Sequence, residues 1–317
     1  MKYCLSIILS LFTVVSIAQY SNFNTQRNWS LNKKEIRFGA GATQFLGDLG
    51  GRDKVGTDYR PWDIDWPSTG YGAEIGYRYR FHPYWATTTS FHYAVFKGSD
   101  ALTKDPWRNA RNLSFKTIGF ELSQRVDYIF LANEKVGKRY NIPGLKGLRD
   151  HNDQMYAFVG VGVLAYIPKA QYMGAWYKLR PLSTEGQGLP GGATPYGLCT
   201  ITVPFGVGAR VGISRMWRLG IEFSYVKTFS DYIDDVHGVY YDKNLIAQAK
   251  GPIAAALSNP VLSNSPHVNS FDTGLQRGDI QKDAYFYLNI VVTRNVTYKN
   301  YSRRIKHMKF KKGRYKF

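Results

Sequence analysis

The stretch Gly70-Tyr71-Gly72-Ala73-Glu74-Ile75-Gly76-Tyr77-Arg78-Tyr79-Arg80-Phe81 decides the fold class. Tyr71, Ala73, Ile75, Tyr77, Tyr79 and Phe81 share one parity; Gly72, Glu74, Gly76, Arg78 and Arg80 share the other. A helix would spread those charges around its surface, whereas a strand of period two gathers them on one side. After His82-Pro83-Tyr84 the alternation resumes, with Trp85, Thr87, Thr89, Phe91, Tyr93 and Val95 opposite Ser90 and His92. The pair reads as a hairpin with a very short turn.

Six further segments pass the same test. Residues 35–46 set Ile36, Phe38, Ala40 and Ala42 outward and Arg37, Gly39, Gly41 and Thr43 inward. Residues 115–130 set Ile118, Phe120, Leu122, Val126, Tyr128 and Phe130 against Glu121, Ser123, Arg125 and Asp127. Residues 200–213 alternate Ile201, Val203, Phe205, Val207, Ala209 and Val211 with Gly206, Gly208 and Arg210, and 217–228 alternate Leu219, Ile221, Phe223 and Tyr225 with Arg218, Gly220 and Glu222. The last strand is expected over about 284–295. Residues 155–167 are ambiguous in facing, because both parities are apolar or glycine.

Composition bounds the setting. The chain has 317 residues, 24 tyrosines, and 42 Lys and Arg against 23 Asp and Glu, a formal net charge of +19. That leaves a nucleic-acid binder, a peripheral membrane protein or an outer-membrane barrel. Lys2, the short apolar run Cys4 to Ile17 and the small residues Ser16 and Ala18 form a secretory signal over 1–18, too short to span a bilayer. Export argues against nucleic acid as a partner. Cys199 is then the only cysteine of the mature chain, so no intramolecular disulfide can form.

No later window offers eighteen consecutive apolar residues, which leaves a closed barrel as the way to span lipid. The expected fold is all-β, an eight-stranded antiparallel transmembrane barrel in the outer membrane. It comprises an N-terminal periplasmic segment over 19–34, the barrel over 35–295 and a basic periplasmic tail over 296–317. An even strand count puts both termini on one side, the periplasm in such barrels. Short joints at 82–84 and 214–216 alternate with long connections at 47–69, 98–112, 168–199 and 229–283; only 131–153, with 23 residues, breaks the pattern. Tyr79, Phe81, Tyr84, Trp85, Tyr128, Phe130 and Trp217 form an interfacial girdle, which a soluble β-sandwich would not need.

The inward charges are Arg37, Glu74, Arg78, Arg80, Glu121, Arg125, Asp127, Arg210, Arg218 and Glu222. In a lumen just wide enough for side chains they must pair, so Glu74, Arg78, Glu121, Arg125, Arg210 and Glu222 are expected to form an interior network rather than line a selective pore. The inward glycines of 39–41 and 160–162 would admit bulky neighbours. Catalytic constellations are weak. Asp234, Asp235 and His237 could activate water as an outer-membrane hydrolase does, if Asp63 and Asp65 supplied a second carboxylate pair; the competing reading is an acidic, solvated loop. No spacing suggests zinc or another cofactor. From Arg294 to Phe317 there are ten Lys or Arg and no Asp or Glu, against +18 for the whole mature chain (41 basic minus 23 acidic). Arg303, Arg304, Lys306, Lys309, Lys311, Lys312, Arg314 and Lys316, interspersed with aromatics, read as a docking arm for an acidic partner, the competing reading being a solvated tail.

Several stretches resemble one family. They are Phe38-Gly39-Ala40-Gly41 running to Phe45-Leu46-Gly47-Asp48-Leu49-Gly50, Tyr156 to Gly162 with Ile167-Pro168-Lys169-Ala170, Leu182 to Gly188 leading to Val203 to Gly208, and Phe229-Ser230-Asp231-Tyr232-Ile233-Asp234-Asp235-Val236 with Tyr240-Tyr241-Asp242. In this order they resemble the PorG-like barrels of the Bacteroidota outer membrane, a component of the type IX secretion system. The resemblance implies a non-enzymatic subunit, serving secretion and gliding motility, that anchors a periplasmic ring of PorK-like lipoprotein and PorN-like protein. It implies no catalytic residues and no cofactor.

Overall fold

In the computed structural model, residues 29–49, 66–103, 105–135, 151–214, 216–263, 266–278 and 281–297 are described. Nine strands form among them: β1 (Lys34–Leu46), β2 (Gly70–Arg80), β3 (Trp85–Ser99), β4 (Ser114–Lys135), β5 (His151–Tyr172), β6 (Ala175–Lys178), β7 (Cys199–Gly212), β8 (Trp217–Thr228) and β9 (Ala284–Asn295). Every pairing is antiparallel. The sheet runs β4-β3-β2-β1-β9-β8-β7-β5, and β4 pairs with β5 to close it, while β6 only folds back on the outer end of β5. The fold is therefore a closed eight-stranded up-and-down barrel. Closure pairs both sides of each of the eight barrel strands, so the barrel itself has no open edge.

The pleat then sorts the side chains. On β2, Glu74, Arg78 and Arg80 are buried while Tyr71, Ile75, Tyr77 and Tyr79 are exposed. Val159, Val161 and Val163 of the ambiguous β5 face outward, and Tyr156, Phe158, Leu164 and Tyr166 face inward. The register with β4, Glu121↔Leu164 and Arg125↔Gly160, fixes that choice, since directly opposed residues share a face. The exterior carries a continuous apolar surface including Phe91, Leu122, Val161, Val207, Ile221 and Ile290, with Val161 and Ile221 each 61% exposed. An apolar patch of this extent is intolerable in water and suits lipid. No helix among the described residues is long and apolar enough to cross a membrane. The lower girdle has Tyr79, Phe81, Tyr84, Trp85, Tyr128 and Trp217 exposed, with the Trp85 and Tyr128 rings 4.9 Å apart.

The two chain ends of the barrel lie together. Glu35 opposes Asn295, the Lys34 amide donates to Thr297 Oγ1 at 2.8 Å, and the tight turns after β2 and β7 lie at the same end. The anomalous connection 131–153 is shorter than the sequence indicates. β4 and β5 are each 22 residues long and stay paired out to Lys135↔His151, so only 136–150 falls outside the described residues there. A bulge between Ile129 and Leu131 shifts the inward parity, so that Ile129 is followed inside by Ala132 and Glu134.

The long connections at the other end carry structure of their own. Helix α1 (Pro106–Arg111) starts with proline at its first turn and with Asp105 accepting from the Trp107 amide at 3.1 Å. Helix α2 (Lys243–Lys250) is capped by Asp242, which accepts from the Asn244 amide at 2.7 Å. It stops at Gly251, whose φ of +91° few other residues adopt, and Pro252 opens helix α3 (Pro252–Ser258).

Candidate functional site in the lumen and at the long-loop end

The lumen is filled by six guanidinium groups (Arg37, Arg78, Arg80, Arg125, Arg210, Arg218) and six carboxylates (Glu35, Glu74, Glu121, Asp127, Glu134, Glu222), all buried. The counts balance, so the interior carries no net charge. Glu222 is the hub of the middle layer: it accepts from Arg37 at 2.9 Å, from Arg125 at 2.6 and 2.7 Å and from the Tyr156 hydroxyl at 2.7 Å. Arg37 also reaches Glu74 at 3.0 Å. Nearer the chain termini, Glu35 collects Arg210 at 2.6 Å, Arg78 at 3.4 Å and Arg218, while Arg78 also donates to Asp127 at 2.6 Å. Arg80 meets Glu134 at 2.5 Å. Gln154 bridges Arg78, Arg210 and Glu134. Arg125 grips Glu222 through two parallel bonds and lies over the Phe158 ring, centroid 3.9 Å away, and Arg78 lies over the Tyr156 ring at 5.1 Å, so side chains crowd the lumen at this level.

Glu121 is held differently. Its carboxylate accepts from Thr202 at 2.8 Å, Tyr285 at 3.1 Å and Tyr287 at 3.2 Å, and His92 stacks on Tyr287 with centroids 5.1 Å apart. Glycines make the room. A Cβ on Gly39 would lie 3.2 Å from Glu74 Oε2, and one on Gly208 would lie 2.5 Å from the Tyr156 ring. Sequence reasoning found ten of these charges and missed Glu35 and Glu134, along with Gln154 and Tyr156. Glu35 shares the parity of Arg37 and was legible; Glu134 lies beyond the bulge, and Gln154 and Tyr156 belong to the strand whose facing the sequence left open.

Above Glu121 the barrel is plugged by an apolar cluster of Phe45, Leu49, Phe96, Phe115, Leu164, Tyr166, Val226, Ile233, Val236 and Tyr285. Leu49, Ile233 and Val236 enter from the long connections, which fold down into the barrel mouth. The reading of 234–237 as a solvated acidic loop is corrected: Asp234 and Asp235 are each 1% exposed. Asp234 accepts from the amides of Leu49 at 3.2 Å and Val236 at 3.1 Å. Asp235, at φ +66°, accepts from Thr184 at 2.5 Å and from the Tyr196 hydroxyl. Arg277 clamps this knot, donating to Glu185 at 2.7 Å and to the Asp235 carbonyl at 2.6 Å, and the His237 amide donates to Glu185 at 2.7 Å. Arg111 ties α1 to Asp100 at 2.7 Å and to the Asp48 and Arg277 carbonyls.

Burial pushes the Glu185 carboxyl up to about 7 in spite of Arg277. Burial likewise raises Asp234 well above the ordinary carboxylate range, with Asp48 adding to the effect, and raises Asp235. All three carboxylates are engaged by groups of the loops themselves: amides for Asp234, hydroxyls for Asp235, and Arg277 with the His237 amide for Glu185. His237 pairs its Nδ1 with Asp231 at 2.5 Å, apart from Asp234 and Asp235. Asp63 and Asp65 lie outside the described residues, as do the signal segment 1–18 and the docking residues Arg303, Arg304, Lys306, Lys309, Lys311, Lys312, Arg314 and Lys316. A cavity of about 550 Å³ opens among the loops beside Leu113, Tyr172, Leu257, Asn259 and Arg277. No group of His, Cys, Asp and Glu among the described residues is arranged to hold a metal.

No protein-family model and no curated protein matches the sequence. Among solved structures the chain is similar to Neisserial surface protein A, at 7% identity and a TM-score of 0.34 over 83% of this chain and 96% of that one. It is also similar to Ail, the attachment invasion locus protein of Yersinia pestis, in complex with the heparin analogue sucrose octasulfate, at 9% identity and a TM-score of 0.34 over 83% and 98% of the two chains. Both are eight-stranded outer-membrane barrels. The barrel assigned to this chain rests on its own strand pairing, in which β9 meets β1 and β4 meets β5.

Proposed function

We propose that the chain is an outer-membrane barrel that anchors a periplasmic assembly rather than a channel or an enzyme, and that the assembly is the ring of the type IX secretion system, built of PorK-like lipoprotein and PorN-like protein. The observation that carries the reading is the distribution of charge. The lumen is neutral and closed by side chains, and the loop carboxylates are committed to backbone and hydroxyl partners. The surplus instead collects in the last 22 residues, nine Lys or Arg with no acid, in the sequence that follows β9. A dense cationic arm tethered to a rigid barrel steers toward an acidic protein surface and is screened by salt. β1 begins and β9 ends at the short-turn end, which in this reading faces the periplasm. The glycine-rich and acidic-aromatic stretches that resemble the PorG-like family give the partner its name.

The test is a deletion of 300–317 in the native host. The truncated barrel is expected to fold and to reach the membrane, yet to lose co-purification with the ring proteins from mild detergent, and the full-length complex is expected to weaken as salt rises. Undiminished co-purification of the truncated chain overturns the tail as the docking element.

A further inference from the structure

Four lysines stand in one unbroken cross-strand row on the outside of the barrel. Lys97 of β3 opposes Lys116 of β4, Lys116 opposes Lys169 of β5, and Lys169 opposes Lys178 of β6. Directly opposed residues share a face, and the parity is that of the outer face: below Lys97 come Val95, which is covered, half-buried Tyr93 and exposed Phe91, and below Lys116 come half-buried Ile118 and exposed Phe120 and Leu122. Side chains directly opposite across a ladder have Cβ atoms only ~5 Å apart, and like charges so placed repel. None of the four pairs with a carboxylate among the described residues. Two of the ammonium groups lie over aromatic rings instead, Lys97 5.8 Å from Tyr71 and Lys116 5.2 Å from Trp176.

Height along the strand places the row. Lys97 is twelve residues beyond Trp85 of the lower girdle, which at ~3.3 Å per residue is about 40 Å along the strand, or roughly 30 Å along the axis of a barrel with ordinary tilt. That is the separation of the two interfaces of a bilayer. The row thus stands at headgroup level on the long-loop side, above the exposed apolar side chains of Phe91, Phe120, Leu122 and Val163.

We propose that this row binds the phosphate groups of the lipids around the barrel, a bound lipid laying its chains on the apolar face below Lys97, Lys116 and Lys169. A soluble anion would use the charges but not that face. Phosphate bridging neighbouring lysines relieves the repulsion that the register imposes. The site rests on the membrane-spanning reading and not on the identity of any periplasmic partner.

Native mass spectrometry of the detergent-solubilised full-length protein, titrated with bisphosphorylated lipid A and with the same lipid stripped of phosphate, tests it. The phosphorylated lipid is expected to bind about tenfold or more tightly. The set Lys97→Gln, Lys116→Gln, Lys169→Gln, Lys178→Gln abolishes that preference while keeping the heat-modifiable gel mobility of a folded barrel, and the matching Lys→Arg set retains it. Equal binding of both lipids, an unchanged preference in the Gln set, or displacement of the lipid by millimolar inorganic phosphate overturns the proposal. Flotation with vesicles separates the failures: a chain that does not float overturns the membrane reading too, whereas one that floats without phosphate preference overturns only the lysine row.

Discussion

Glu222 shows what one residue does in a closed lumen. It pairs with Arg37 and Arg125 and holds the Tyr156 hydroxyl, so two cations and a ring share one carboxylate, with Glu74 the second partner of Arg37 and Asp127 that of Arg125. Replacing a buried ion pair wholesale with apolar groups is often neutral, but removing one partner leaves an uncompensated charge that costs ~3–5 kcal/mol. Glu222→Gln is therefore expected to destabilise the barrel by about that much. The urea midpoint of the detergent-folded protein, followed by heat-modifiable gel mobility, checks it. A midpoint equal to that of the unsubstituted chain would mean that the hub is redundant. Much of this network was legible from Arg37, Glu74, Arg78, Arg125, Arg210 and Glu222, because a charge that recurs on one parity between aromatics has one plausible side. Which carboxylate meets which arginine was not legible, because pairing across the lumen joins residues on strands far apart in sequence, as with Arg37 and Glu222.

At the scale of the element, the long connections are folded plugs. Asp234 and Asp235 tie loop backbone over an apolar cluster, and Glu185 receives both Arg277 and the His237 amide. Burial raises Glu185 from 4.5 to about 7 and also raises Asp234 and Asp235. The folded loops therefore retain protons that opened loops would release, and stability contributed by these groups is present at low pH and declines as pH rises through the window from about 4.5 to 7. Amide exchange at Leu49, Ile233 and Val236, corrected for intrinsic rate, is expected to be slower at pH 5 than at pH 8. Faster exchange at pH 5 contradicts the burial assigned to these carboxylates. The strands of the barrel were readable from period-two alternation, but the plugs were not. Helices α1 to α3 are six to eight residues long and built from local caps, Asp105 and Asp242, whose meaning depends on the barrel mouth beneath them. The facing of β5 stayed open for a related reason, since valine and glycine suit either lipid or a crowded lumen. The tail of β4 escaped because a bulge at 129–131 reverses the parity on which the reading relied.

At the scale of the molecule, the barrel is a bilayer-spanning cylinder with an apolar exterior, a neutral packed core and one plugged end. Eight strands give a lumen that side chains fill, and here six guanidinium groups and six carboxylates fill it. A barrel of this kind offers rigidity and position, and the proposals made for it place its function at the rims rather than in the lumen. The most direct measurement is ionic current through the full-length protein inserted in a planar lipid bilayer at neutral pH. A sealed lumen gives a stable insertion with no sustained conductance above the bare bilayer. Steady, ohmic single-channel steps would contradict it, since they require a continuous water path through the layer where Glu222, Arg125 and Arg37 meet.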